Sequence, residues 1–143
     1  MTVLDATALI GFLVGEPSAG QVEDILRSGD AVIPAVNLAE VFDHLERRAG
    51  RLPAEIAPLV DNLIQGALTV IAVEEVDGRL AGHLRAVHYH RLAAPVSMAD
   101  CVALAAAMSL KARLATSDGA LARVAQSRAV EVISLPNSAG QRP

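Results

Sequence analysis

Apolar residues in this chain fall into short unbroken runs, separated by longer stretches in which they recur every three or four positions. Thr2 to Asp5 is the first run and reads as a short buried strand. A helical stretch follows from Thr7 to Val14, until Glu16-Pro17-Ser18 breaks it. Ser18 is placed to cap a second helix, which carries Val22, Ile25 and Leu26 on its apolar face and stops at Ser28-Gly29. Ala31 to Ile33 is a second strand, halted by Pro34. Val36 to Ala49 is amphipathic, with Val36, Ala39, Phe42 and Leu45 at helical spacing and Gly50 as its stop. Pro53 suits the first turn of a helix that runs through Ile64 and ends at Gly66. Leu68 to Val73, rich in β-branched residues, is a third strand, followed by a helix from about Val76 to His88 and a loop to Pro95. Ser97 to Leu110 is an Ala-rich helix, Arg113 to Thr116 a strand, Gly119 to Ser127 a short helix and Val130 to Leu135 the last strand.

Strands that alternate with helices, each strand a continuous apolar run, indicate a parallel sheet covered on both faces. The expected architecture is a three-layer α/β/α sandwich, one domain over residues 1–135, with a loose tail over 136–143. No internal repeat or linker interrupts it.

Composition sharpens this picture. At 143 residues the chain can bury one core, and 52% apolar residues exclude a disordered polymer. With 2% aromatics and no Trp, that core is built from Ala, Val, Leu and Ile, which lets helices lie close against a sheet. The apolar run from Ala8 to Gly15 is too short to span a bilayer, and no basic segment precedes it, so neither a membrane span nor a signal peptide is expected. Cys101 is the sole cysteine, which rules out an internal disulfide and fits a reducing cytosol.

Four acids stand at the junctions between strands and helices: Asp5, Glu40, Asp100 and Asp118. Ligands of open parallel sheets bind beyond the carboxyl ends of the strands. Asp5 ends the first strand and Asp118 follows the fourth, while Glu40 and Asp100 lie early in helices that start on that same edge. Each has a hydroxyl or amide companion nearby: Thr7, Asn37, Ser97, and Thr116 with Ser117. Each acid also has a purely structural explanation. Ser97-x-x-Asp100 is a capping box, Asp5 and Asp118 can cap helices, and Glu40 can be a surface residue. Taken together, four acids on one sheet edge repel one another unless a cation neutralises them. An all-oxygen donor set suits a hard divalent ion such as Mg2+ or Mn2+. The net charge of −4 argues against a polyanionic partner, yet the four acids account for all of it, and bound cations would reverse the local field. The basic residues are eleven Arg and one Lys, and Arg is the better bidentate phosphate partner. His88-x-His90, beside Arg91 near a helix end, reads as solvent- or dipole-facing, with a weak phosphate-binding reading for Arg85 and Arg91. Cys101 and Met98 read as packing.

The motifs Asp5-x-Thr7-Ala8-Leu9-Ile10, Asn37-x-x-Glu40, Ser97-x-Ala99-Asp100 and Thr116-Ser117-Asp118, in this order, resemble the PIN-domain nucleases, and within them the VapC-type toxins of bacterial toxin–antitoxin pairs. The resemblance runs from about Val3 to Leu135. It implies strand order 3-2-1-4-5 and a Mg2+- or Mn2+-dependent endoribonuclease that cuts structured RNA of the tRNA or rRNA class. It also implies a metal site of Asp5, Glu40, Asp100 and Asp118, a homodimer, and inhibition by a VapB-type antitoxin. A groove between the helices from Val22 to Leu45 is the expected antitoxin seat. The alternative is a non-catalytic PIN-fold module that binds RNA or protein. A haloacid-dehalogenase phosphatase needs an Asp where Thr7 stands, and the acids and lysine of a response-regulator receiver are missing.

Overall fold

The computed structural model describes residues 1–143. Five parallel strands form one sheet in the order β3-β2-β1-β4-β5, flanked by seven helices. The strands are β1 (Thr2–Leu4), β2 (Ala31–Pro34), β3 (Leu68–Ile71), β4 (Arg113–Thr116) and β5 (Val132–Ser134). The helices are α1 (Ala6–Val14), α2 (Ala19–Arg27), α3 (Ala35–Arg47), α4 (Pro53–Gly66), α5 (Glu75–His88), α6 (Met98–Leu110) and α7 (Gly119–Ser127). This is the three-layer α/β/α sandwich that the hydrophobic pattern predicts, with the strand order that the resemblance implies.

Successive residues of a strand face opposite sides, and here they feed two separate cores. Val3, Val32 and Leu114 join a cluster with α5, α6 and α7, whereas Leu4, Ile33 and Ala115 join one with α1 to α4. Val3 pairs with Val32 on one side and Leu114 on the other, so the central strand locks both. The Ala-rich α6 buries Ala99, Ala103, Ala105, Ala106 and Ala107, as close helix–sheet contact demands. Gly11 serves a similar end, since a Cβ there would stand 2.5 Å from Ser18 Oγ.

Several local expectations are corrected. Ser18 makes no side-chain cap; it is buried against Gly11 with its hydroxyl unpartnered. Pro34 closes β2 rather than lying beyond it, and β3 ends at Ile71, before Ala72 and Val73. On α3 the buried stripe is Asn37, Val41 and Leu45, one helical step away from the expected face, which leaves Ala39 exposed. Met98 is exposed. In the tail after Pro136, Asn137 Oδ1 accepts from the backbone N–H groups of Ala139 and Gln141, and Arg142 donates to Gln21 Oε1 and Ser134 O. Val22, Leu26, Val41 and Leu45 are buried and Ile25, Leu38 and Phe42 half-buried, while the exposed Leu52, Leu59 and Ile64 lie on or beside α4. No helix is long and apolar enough to cross a membrane.

Candidate active site

Helices α1 and α7 directly follow β1 and β4 and begin at the carboxyl edge, where their first-turn N–H groups need acceptors. Asp5 answers that need for α1. It leaves β1 in extended conformation, and its Oδ1 accepts from Ala8 N at 2.8 Å. Asp118 does the same for α7, accepting from Leu121 N at 2.7 Å. At α6, Ser97 Oγ accepts from Asp100 N at 3.0 Å while Asp100 Oδ2 accepts from Ser97 N at 2.7 Å, a reciprocal capping box.

Asp5 is fully buried at the end of the central strand. Thr7 Oγ1 lies 2.9 Å from both its oxygens, and Thr116 Oγ1 donates to Oδ2 at 2.5 Å. Thr116 Oγ1 in turn accepts from Asp118 N at 2.9 Å, so one hydroxyl links the acid of β1 to the acid beyond β4. Ser117 enters through its backbone N–H, which donates to Thr7 Oγ1 at 3.2 Å. Asn37 does not touch a carboxylate. Its Nδ2 donates to Ala99 O at 3.2 Å, tying α3 to the first turn of α6 beside Asp100, and its buried Oδ1 has no protein partner. Nothing in the sequence signalled this Asn37–Ala99 link, because it joins residues far apart in the chain.

Electrostatics bring the acids into one field. Burial lifts the Asp5 carboxyl from 3.8 to about 7, against the hydrogen bonds from Thr116, Ala8 and Thr7, and the charge of Asp100 adds to the rise. Burial also raises Asp100, opposed by its bonds to Ser97 and reinforced by Asp118. Glu40, half-buried on α3, is raised by burial and then by Asp100 and Asp43. Asp100 is thus the hub, and it acts on or feels the other three. No Lys or Arg acts on Asp5, Glu40 or Asp100. No three acidic, His or Cys side chains stand close enough together to enclose an ion as placed. The donor chemistry still fits a hard divalent cation. All donors are carboxylates, the deepest is costly to ionise without a counter-charge, and the single Thr7 proton leaves its oxygens spare acceptor capacity.

Nearby Cys101 is buried, its thiol pushed up to about 11 by burial. His90 is not a metal-pair partner of His88: its Nδ1 accepts from Leu92 N and Ala93 N and organises the loop before α6.

Among solved structures, the Mycobacterium tuberculosis toxin VapC20, described as cleaving the sarcin-ricin loop, is 18% identical. Its TM-score is 0.66 over 86% of this chain and 94% of that one. FitAcB from Neisseria gonorrhoeae is 19% identical, with TM-score 0.61 over 93% and 96%. VapBC2 from Rickettsia felis, bound to promoter DNA, is 14% identical, with TM-score 0.65 over 92% and 96%. At such identities the likeness concerns the fold. No curated protein matches the sequence. The PIN domain model matches residues 2–127, which take in β1 through α7 and all four acids, and the chain belongs to the PIN domain family.

Proposed function

We propose that this chain is a VapC-type toxin, a Mg2+- or Mn2+-dependent endoribonuclease that hydrolyses phosphodiester bonds in structured RNA of the tRNA or rRNA class. The observation that carries the reading is Asp5: a fully buried carboxylate, lifted to about 7, that feels the charge of Asp100 and forms no ion pair. A protein that keeps such a group has a use for its charge, and a divalent ion is the counter-charge that makes it affordable. Asp5 and Asp100 would hold the ion, with Asp118 and Glu40 completing the set. A bound ion would supply an activated water and neutralise charge on the phosphate. The chain's own part is orientation. Thr7 and Thr116 fix the Asp5 carboxylate, Ser97 fixes Asp100, and Asn37 fixes the helix that carries Asp100. No His or Lys lies among these groups to serve as a separate base.

The likeness to FitAcB and VapBC2 supports a small antitoxin as the partner, and a homodimer follows from the same reading. The antitoxin would lie against the half-buried Ile25, Leu38 and Phe42 and the exposed apolar residues of α4.

The test is cleavage of bulk tRNA and rRNA by purified chain with Mn2+ or with chelator, read by mapping new 5′ ends. Cleavage that needs Mn2+ and disappears in Asp5→Asn is the expected result. A second reading, the non-catalytic module, is favoured by Asp100 and Asp118 already serving as helix caps. It predicts that RNA is bound but left intact with every metal, and that outcome would displace the nuclease.

A further inference from the structure

Arg85 is a cation without an anion. Arg27, Arg47 and Arg79 each close an ion pair one turn away on their own helix, whereas Arg85, Arg91 and Arg123 form none. Arg85 is half-buried, its guanidinium lies 4.4 Å over the centre of the Tyr89 ring, and its buried Nε has no protein partner. His88, the last residue of the same helix, buries Nε2 equally unpartnered. The position of this group follows from helix geometry. Ser109 Oγ donates to Asp77 Oδ1 at 2.6 Å and pins α5 antiparallel to α6. Both helices rise about 1.5 Å per residue, so eight residues on from Asp77 and eight back from Ser109 bring Arg85 level with Cys101, beside Asp100. Arg123 approaches from α7, whose cap is Asp118, and donates to Ala93 O at 3.2 Å in the loop that carries Arg91. Uncompensated cations and the only Tyr of the chain therefore border the acidic site on the α5–α6 side.

The geometry points to an RNA-gripping ledge: Arg85, with Arg91 and Arg123, holds phosphates flanking the one under attack, and a base stacks on the open face of Tyr89. This rests on the ribonuclease reading above. A planar guanidinium matches a phosphate by two parallel hydrogen bonds. Tyr89 is 44% exposed, so with Arg85 on one face the ring keeps surface for an unstacked base. RNA is favoured over an acidic peptide because the ledge pairs a phosphate-type donor with an aromatic platform. It also offsets the repulsion that the acidic site exerts on a polyanion.

The test uses the full chain carrying Asp5→Asn, so that binding is read without cleavage, with fluorescein-labelled bulk tRNA as the probe across a salt series in Mg2+. Adding Arg85→Gln should weaken binding about tenfold and lower the slope of log affinity against log salt by about one. Arg85→Lys should keep the slope and still lose affinity, because the charge stays and the fork is lost. Tyr89→Leu should weaken binding with the slope unchanged. Arg128→Gln, at the far end of α7, is the control and should change neither. Equal affinity and slope for Arg85→Gln and its parent would overturn the ledge while leaving the nuclease reading intact. Unchanged RNA binding with loss of antitoxin binding would overturn it in favour of a protein partner. If the parent binds no RNA and the unmodified chain cuts none, the underlying reading fails as well.

Discussion

Removing the charge of Asp5 should stabilise the metal-free protein at alkaline pH and destabilise it slightly at acid pH. The carboxyl is raised from 3.8 in an unfolded chain to about 7 in the fold. Between those values the folded protein holds a proton that the unfolded chain releases, so stability falls as pH rises through this window and levels off above it. The full cost is at most roughly 4 kcal/mol, from about 1.4 kcal/mol per pH unit, and Asp5 is fully buried, so solvent screening does not discount it. Asp5→Asn abolishes this cost. It also introduces an amide that must face Thr116 Oγ1, already an acceptor for Asp118 N, and a mispaired buried hydroxyl costs about 1–3 kcal/mol. The balance at pH 8 is a gain of about 1–3 kcal/mol, or about 3–10 °C in Tm for a chain of this length. At pH 5 the folded acid is neutral but the unfolded one is already ionised, so about 1–2 kcal/mol of the cost is still present, and the mispairing offsets or slightly exceeds it.

Thermal melts of both proteins at pH 5 and pH 8, in chelator, measure this crossing. Asp100 and Glu40 are raised too, so both proteins keep some downward slope, but the wild type must be the steeper. Parallel profiles for the two proteins would refute the reasoning, because they would mean that Asp5 is not ionised at a cost in the fold. Mn2+ at a hundredfold over its Kd should then restore about 2.7 kcal/mol to the wild type at pH 8 and much less to the variant.

Thr116→Val keeps the shape but removes the donor to Asp5 and the acceptor for Asp118 N, and should lower Tm by about 3–9 °C at pH 8 and by less at pH 5, read by the same melts. Gly11→Ala should destabilise, because its Cβ meets Ser18 Oγ at 2.5 Å. Ser18→Ala removes an unpartnered buried hydroxyl, so the double variant should be more stable than the two single effects sum to, as a double-mutant cycle in urea would measure. Cys101, buried with its thiol raised to about 11, should resist a thiol reagent at pH 8 in native protein and react at once in denaturant.

The elements most legible in the sequence are those whose own residues decide them. Unbroken apolar runs such as Leu114-Ala115 need no partner to be recognised, and Ser97-x-x-Asp100 announces its helix start locally. The misreadings fall where a distant element decides. Ser18 is drawn away from capping by the space that Gly11 leaves, and the α3 stripe shifts to Asn37 because Nδ2 has Ala99 O to reach across the fold. The contacts of Arg142 are equally illegible locally, since it finds Gln21 and Ser134 only once α2 and β5 are in place.

Capping and a functional site are compatible uses of these acids, because the fold can serve both with one arrangement. Helices α1 and α7 start where β1 and β4 end, and α6, which runs back to feed β4, starts at that edge too, so their N-terminal acceptors are delivered to the edge where ligands of such sheets bind. Asp5 and Asp118 cap α1 and α7, and Asp100 closes the capping box of α6. Each cap uses part of a carboxylate's acceptor capacity, fixes its rotamer and leaves lone pairs free to take a ligand. Glu40, the one acid of the four that caps nothing, is held only by its place on α3 and is the freest to move. The four acids should therefore divide by rigidity, with Asp5, Asp100 and Asp118 as preset donors and Glu40 as the adjustable one.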